Sequence, residues 1–282
     1  MRLTLAVTTW ERPDALAAVL GTIATQRETP DEVIVADDGS GPATRAVVAA
    51  FAARCGLPVG YVRQEHQGFR VARLRNLALA AARGDYVVLV DGDMLLHPAF
   101  IADHRASARA GCYVQGVRLP LGAAQSRALL DADPATLLAG AVALPGPFTR
   151  GPGLRRAWAL HNPALARRCA RLANALVAEK SCNQGFWRAD LTAVNGYDET
   201  MIGWGPEDKE LCARLRHLGR QRRTLVFGGI AWHLHHAPAA RDRQAANEAR
   251  LAATLRERRV CCAHGLDAHV RNNLDALPGI WL

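Results

Sequence analysis

Four short apolar runs, each closed by polar residues and separated from the next by a segment with helical spacing, fill the N-terminal third of the chain. They are "LTLAVTTW" from Leu3, "EVIVADDGS" from Glu32, "VGYVRQ" from Val59 and "YVVLVDGD" from Tyr86. The intervening "RPDALAAVLGTIATQ", "GPATRAVVAAFAARC" and "RVARLRNLALAAARG" carry apolar residues at i, i+3 and i+4, the period of a helix with one buried face. Strands that are apolar on both faces, alternating with helices, predict an α/β fold with a Rossmann-like, mostly parallel sheet covered on both sides. Ligands of such sheets bind beyond the carboxyl ends of the strands. One crevice is therefore expected to collect Thr8, Thr9, Glu11 and Arg12 after the first strand, Asp37, Asp38, Gly39 and Ser40 after the second, and Asp91, Gly92 and Asp93 after the fourth.

Carboxylates beside a core are costly unless a cation, a proton or hydrogen bonds compensate them. In "DGD", Gly92 permits a sharp bend that aims Asp91 and Asp93 toward one point, a hard oxygen donor set suited to Mg²⁺ or Mn²⁺ on a nucleotide diphosphate. Read alone, the tripeptide is more often a polar strand-end turn. "DDGS" offers carboxylates to a nucleobase or ribose, and it too is a common turn. Neither GxGxxG nor GxxxxGK[ST] is present, so phosphate binding falls to a metal and basic side chains. Downstream, "GWGPED" places Glu207 and Asp208 at a helix start, where the helix dipole favours their ionised forms and one could serve as a general base. Trp204 between glycines offers a flat face for a sugar ring. "WHLHH" sets His233, His235 and His236 at a strand end, with imidazoles able to ligate Mn²⁺.

Composition sets the wider limits. With 282 residues, half of them hydrophobic, there is ample core for a single main domain. The formal charge of +9 points to an anionic partner. Seven scattered cysteines without CxxC spacing fit a reducing, cytoplasmic setting and exclude a zinc framework. No run is long and apolar enough to span a membrane, leaving peripheral contact with an anionic inner membrane face as the expected form of association. Residues 1–116 read as a nucleotide-binding half and 179–240 as the half of the same domain that carries the candidate base. Between them, 117–178 is basic, with six arginines and no acid from Phe148 to Ala178, and reads either as a solvated helical insertion or as a lid or acceptor-binding segment near anionic lipid or phosphate. Residues 241–282 form a helical tail. "RTLVFGGIAWHLHH" reads as one strand-like run.

With these clusters in order, the chain resembles the inverting nucleotide-sugar glycosyltransferases of family 2, which have the GT-A fold. The resemblance is carried by "VTTWERPDALAAVLGTI", "DEVIVADDGS", "HQGFRVARLRNLALAAARGDYVVLVDGDM" and "NQGFWRADLTAVNGYDETMIGWGPEDKELCARL". The last block is similar to a galactosyltransferase-type catalytic segment. The resemblance implies that Thr9, Glu11 and Arg12 border the nucleotide, that Asp38 or Asp37 meets the uracil of a UDP-sugar, and that Arg70, Arg73 and Asn76 face the base and diphosphate. It implies Asp93 as the main ligand of Mn²⁺ or Mg²⁺, with Asp91 on ribose or metal and His233 or His236 completing the shell. Asp208 would be the catalytic base, with Glu207 and Trp204 on the acceptor. The implied partners are a nucleotide-sugar donor and a glycan or glycolipid acceptor in bacterial surface polysaccharide or lipopolysaccharide synthesis. Pro206 replaces a glycine usual in the family's element.

Three other classes compete. A nucleotidyltransferase would show a glycine-rich basic loop after the first strand, and "TTWERPDA" lacks one. A nucleic-acid-binding protein would account for the charge, but no RNP, KH or zinc-finger pattern occurs and the acidic strand ends would repel phosphate. No nucleic acid is expected as partner. A sugar-binding module without catalysis would share the fold and differ only in turnover.

Overall fold

The computed structural model describes residues 1–140, 142, 144, 157–237 and 240–270, with the backbone of the strand Gly279–Trp281. Strands β1 (Leu3–Thr9), β2 (Glu32–Asp37), β3 (Val59–Arg63) and β4 (Tyr86–Asp91) run parallel in the order β3-β2-β1-β4. Helices α1 (Pro13–Ala24), α2 (Pro42–Cys55) and α3 (Val71–Ala81) make the crossovers. Pro13 and Pro42 open their helices, where a missing N–H costs nothing.

Every residue of β1 and β2 is buried, as strands covered on both faces require. Their alternation divides two cores. Leu3, Leu5 and Val7 pack with Leu16, Leu20 and Ile23 of α1 and Phe51 of α2. Ala6, Ile34 and Ala36 turn to the other face, against Leu74, Leu77 and Ala78 of α3. Burying one such leucine stabilises the fold by roughly 1.5–3 kcal/mol.

After β4 come β5 (Met94–Leu96), α4 (Phe100–Ser107), β6 (Cys112–Gly116) and β7 (Leu119–Pro120). The segment 117–178 then contributes the short helices α5 (Ala123–Leu130), α6 (Pro134–Leu138) and α7 (Pro163–Cys169). It is only partly an outlying insertion: Leu137 and Leu138 of α6 are buried in the same core as α1. Arg150, Arg155 and Arg156 lie outside the described residues. Strand β8 (Asn183–Trp187) pairs antiparallel with β4 and β6, and β9 (Gln221–Leu225) pairs parallel with β6. The main sheet reads β11-β3-β2-β1-β4-β8-β6-β9, with β11 (Gly279–Trp281) antiparallel to β3.

"RTLVFGGIAWHLHH" is not one strand. It divides into β9 and β10 (Ala231–His233), which belong to different sheets. The break falls at Phe227 and Gly229, both with positive φ, so the chain leaves the main sheet and joins β5 and β7 in a small one. There Met94 stands opposite His233; its fully buried side chain is packing beneath the site rather than part of it. Helices α8 (Glu207–His217) and α9 (Gln244–Glu257) close the fold. Among the described residues, no helix is long and apolar enough to cross a membrane.

Candidate active site

The carboxyl ends of β1 and β4 form one wall of a cleft of about 770 Å³. The Gly92 N–H donates to the Thr8 carbonyl at 2.6 Å. A methyl group at Gly92 would lie 2.8 Å from that oxygen, so this glycine is required for close approach rather than for an unusual φ. With the turn clamped in this way, the two aspartates separate. Asp91 Oδ1 accepts from Thr8 Oγ1 at 3.1 Å and from the Arg75 guanidinium at 3.3 Å. Asp93 instead meets the small sheet, where its carbonyl accepts from the Leu234 N–H at 2.9 Å. Its Oδ2 is 3.3 Å from Nε2 of both His233 and His236, and those nitrogens are 3.2 Å apart.

This triangle fits a divalent cation. Ligand bonds of about 2.0–2.1 Å meeting near a right angle place neighbouring donor atoms about 3 Å apart. In addition, Asp93 Oδ1 is buried without a hydrogen-bond partner, an expense that a cation would offset. Two imidazoles with one carboxylate suit Mn²⁺ better than Mg²⁺, which prefers oxygen.

The opposite wall is built by the loop 203–206 and the first turn of α8. Glu207 Oε1 accepts from Arg75 Nη1 at 2.8 Å, in a pair whose arginine is only 4% exposed. Asp208 accepts from the Lys209 N–H at 2.7 Å and the Ser181 N–H at 3.3 Å. Burial pushes its carboxyl up to about 7, the neighbouring Glu207 charge adds to the rise, and Arg75 with the two N–H donors opposes it. Trp204 also lines the cleft, with the Arg241 guanidinium 4.6 Å from its ring centroid. Asn247 of α9 donates to the carbonyls of Ile202 and Trp204 and so fixes the loop.

Thr9, Arg12, Asp38, Asp91, Gly92, Asp93, Trp204, Glu207, Asp208, His233 and His236 all line the cleft. Five other expected positions face elsewhere. Glu11 accepts from the Gly41 N–H and helps shape the "DDGS" turn. Asp37 is fully buried, held by Ser40 and Tyr61. Arg70 donates to the Glu65 carbonyl and Arg73 to Gln64. Asn76 is buried between the Tyr197 backbone and Glu199.

Among the cleft residues not anticipated, two carry most of the argument. Arg75, on α3, is the cation that joins both acidic walls. Trp10 stacks on His66 with centroids 4.7 Å apart and planes 9° apart, and His66 holds Asp38 at 3.0 Å. A flat aromatic pair beside a carboxylate is a platform for a nucleobase. The exposed tryptophan in "TTWERP" was the available signal.

An α/β sheet with strand-end carboxylates on one side of a nucleotide-sized cleft, and an acid pair at a helix start on the other, defines a GT-A type glycosyltransferase domain. Residues 4–122 match the family model of glycosyl transferase family 2, and residues 176–237 match that of the N-terminal domain of galactosyltransferase. Residues 4–122 thus carry a family 2 glycosyltransferase domain, followed by a galactosyltransferase-type segment. It is 26% identical over 258 residues to a hyaluronan synthase of Pasteurella multocida, covering 88% of this chain and 26% of that protein. Over 228 residues it is 31% identical to a validoxylamine A glucosyltransferase of Streptomyces hygroscopicus subsp. limoneus, covering 77% and 48% respectively. The chain thus spans half or less of the length of these relatives. A mannosyltransferase from Pyrobaculum calidifontis, solved with GDP-Man and Mn²⁺, shares the fold at a TM-score of 0.54 and 20% identity, over 83% of this chain and 56% of that one.

Proposed function

We propose that this chain transfers a sugar from a nucleotide-sugar, with inversion and with help from a divalent cation, to an acceptor hydroxyl. The observation that carries this reading is the Arg75 bridge. It holds Asp91 and Glu207 together, so the cation-ligand set and the raised-pKa Asp208 face the same cleft. Trp10, His66 and Asp38 form the base platform, and a pyrimidine imide N–H suits the Asp38 carboxylate, favouring UDP. When bound at Asp93, His233 and His236, Mn²⁺ would supply positive charge for the departing diphosphate; the mannosyltransferase solved with Mn²⁺ supports that role.

Asp208 takes the proton of the acceptor hydroxyl, and a carboxyl with a pKa near 7 is matched to that task at neutral pH. The acceptor sugar lies on Trp204, with Glu207 held beside it by Arg75. Lys180, Arg118 and Arg12, also on the cleft, contribute positive charge where the leaving phosphates would lie. Likeness to polysaccharide synthases supports a glycan acceptor of the surface-polysaccharide type. The deciding experiment incubates the protein with UDP- and GDP-sugars, Mn²⁺ and short glycan acceptors, and reads nucleotide release with the anomeric configuration of the product. Cation-dependent release with an inverted anomer is expected. Nucleotide binding without turnover of any donor would leave a sugar-binding module, and retained configuration would remove the single-base mechanism.

A further inference from the structure

Four of the ten large apolar side chains exposed among the described residues lie between 160 and 176. They are Leu160, Leu165, Leu172 and Leu176, at 47%, 42%, 78% and 56% exposure. The inward positions of this segment are taken by the buried Ala166, Ala170 and Ala173. The leucines therefore look outward because the small residues already occupy the contact with the sheet. The backbone is tied to β9: the Thr224 N–H donates to the Ala170 carbonyl at 2.8 Å, Thr224 Oγ1 to Asn174 Oδ1 at 2.8 Å, and Asn174 Nδ2 to the Arg222 carbonyl at 3.1 Å. The result is a fixed ridge. Between its leucines stand the exposed Arg167, Arg168 and Arg171, none paired with an acid among the described residues. No acid occurs from Ala157 to Ala178, and the next one, Glu179, is buried against Arg216.

We propose that the 160–176 ridge docks the protein on an anionic lipid bilayer, with its leucines in the headgroup–acyl boundary and its arginines on lipid phosphates. Charge complementarity selects this partner. A nucleic acid would use the arginines and leave the leucines in water, whereas an interfacial membrane segment uses both together. The position adds to the argument: from Leu176 the chain runs directly into Ala178–Cys182, which line the cleft. Docking sets the cleft mouth beside the bilayer, where an acceptor with a lipid anchor would present its hydroxyl. That last step rests on the transfer reading, while the docking itself does not.

The test is co-sedimentation of the full chain with vesicles of phosphatidylcholine alone and of phosphatidylcholine mixed with phosphatidylglycerol. Binding is expected only to the mixed vesicles, weakening with salt. Arg167→Glu, Arg168→Glu and Arg171→Glu should each lower partitioning about fivefold or more, and Leu172→Asp with Leu176→Asp should abolish it. Hydrogen exchange on the unaltered protein needs no variant, and vesicles should protect amides of 160–176. Failure to bind mixed vesicles at low salt, protection confined to other segments, or ridge variants that bind like the unaltered protein would each overturn docking. So would a concentration-dependent dimer lost in the leucine variant, which would make a second copy the occupant. Turnover with a soluble acceptor, read on the same samples, separates the two proposals: ridge variants should keep it, and its absence in a vesicle-binding protein would count against transfer alone.

Discussion

The two acidic pairs of the cleft, Asp91 with Asp93 and Glu207 with Asp208, have nearly the same composition and opposite settings. The first ends a strand and the second begins a helix, yet each divides its work in the same way. One member is anchored to Arg75: Asp91 at 3.3 Å and Glu207 at 2.8 Å. The other is left available: Asp93 with a partnerless oxygen among histidines, and Asp208 with its carboxyl pushed up to about 7. A single buried guanidinium thus pairs with two of the four carboxylates and leaves the other two outside its ion pairs. Under the proposed function Asp93 would hold a cation, whereas the enclosed Asp208 would exchange a proton.

Removing each member should expose this division. The largest effect is expected for Asp208→Asn, which should lower kcat by about 10²–10⁴-fold while donor binding, measured by calorimetry with nucleotide and Mn²⁺, stays within about threefold. Next, Arg75→Met should leave two carboxylates without their cation and destabilise the fold by about 3–5 kcal/mol in denaturant titration; a variant as stable as the parent would mean that the bridge is not structural. Asp93→Asn should weaken Mn²⁺ affinity by more than about tenfold without moving the melting temperature measured in chelator.

The smallest effects concern pH. Because the base must be unprotonated, kcat should rise tenfold per unit below pH 7 and level off above it; a limb near pH 4 would remove the link to the enclosed carboxyl. The same shift has a consequence for stability. The unfolded Asp208 loses its proton near 3.9 and the folded one near 7, so the native state binds more protons between these values and stability falls as pH rises through them. Asp208→Asn removes that fall. It should match the parent at pH 4 and become progressively more stable than it as pH rises to 8, in thermal or chemical unfolding.

Much of this was legible from the chain. Strand-ending polar residues located Asp38, Asp91 and Asp93, because residues after β1, β2 and β4 in a parallel sheet must emerge on one edge. Arg75 was hidden for a physical reason: an arginine in a helical stretch ordinarily reads as a solvated face, and Arg70 and Arg73 carry the same signature. Adjacent helix positions differ by about 100°, so Arg75 reaches the cleft while Asn76 turns to Tyr197 and Glu199. Asp37 shows the converse: its partner Ser40 lies within "DDGS", but Tyr61 of β3, which occupies its other oxygen, is brought in only by folding. The division of "RTLVFGGIAWHLHH" was signalled by its Gly-Gly step, which a continuous strand would not tolerate easily.

The small sheet has one more implication. Asp93 and His233, distant in the chain, are joined by a backbone ladder in which Met94 faces His233 and Leu234 bonds back to Asp93. The candidate metal donors are therefore held in place by the backbone of the small sheet. Loading with Mn²⁺ should register in calorimetry as a local event with a heat-capacity change near zero, and added metal should raise the melting temperature only as mass action requires.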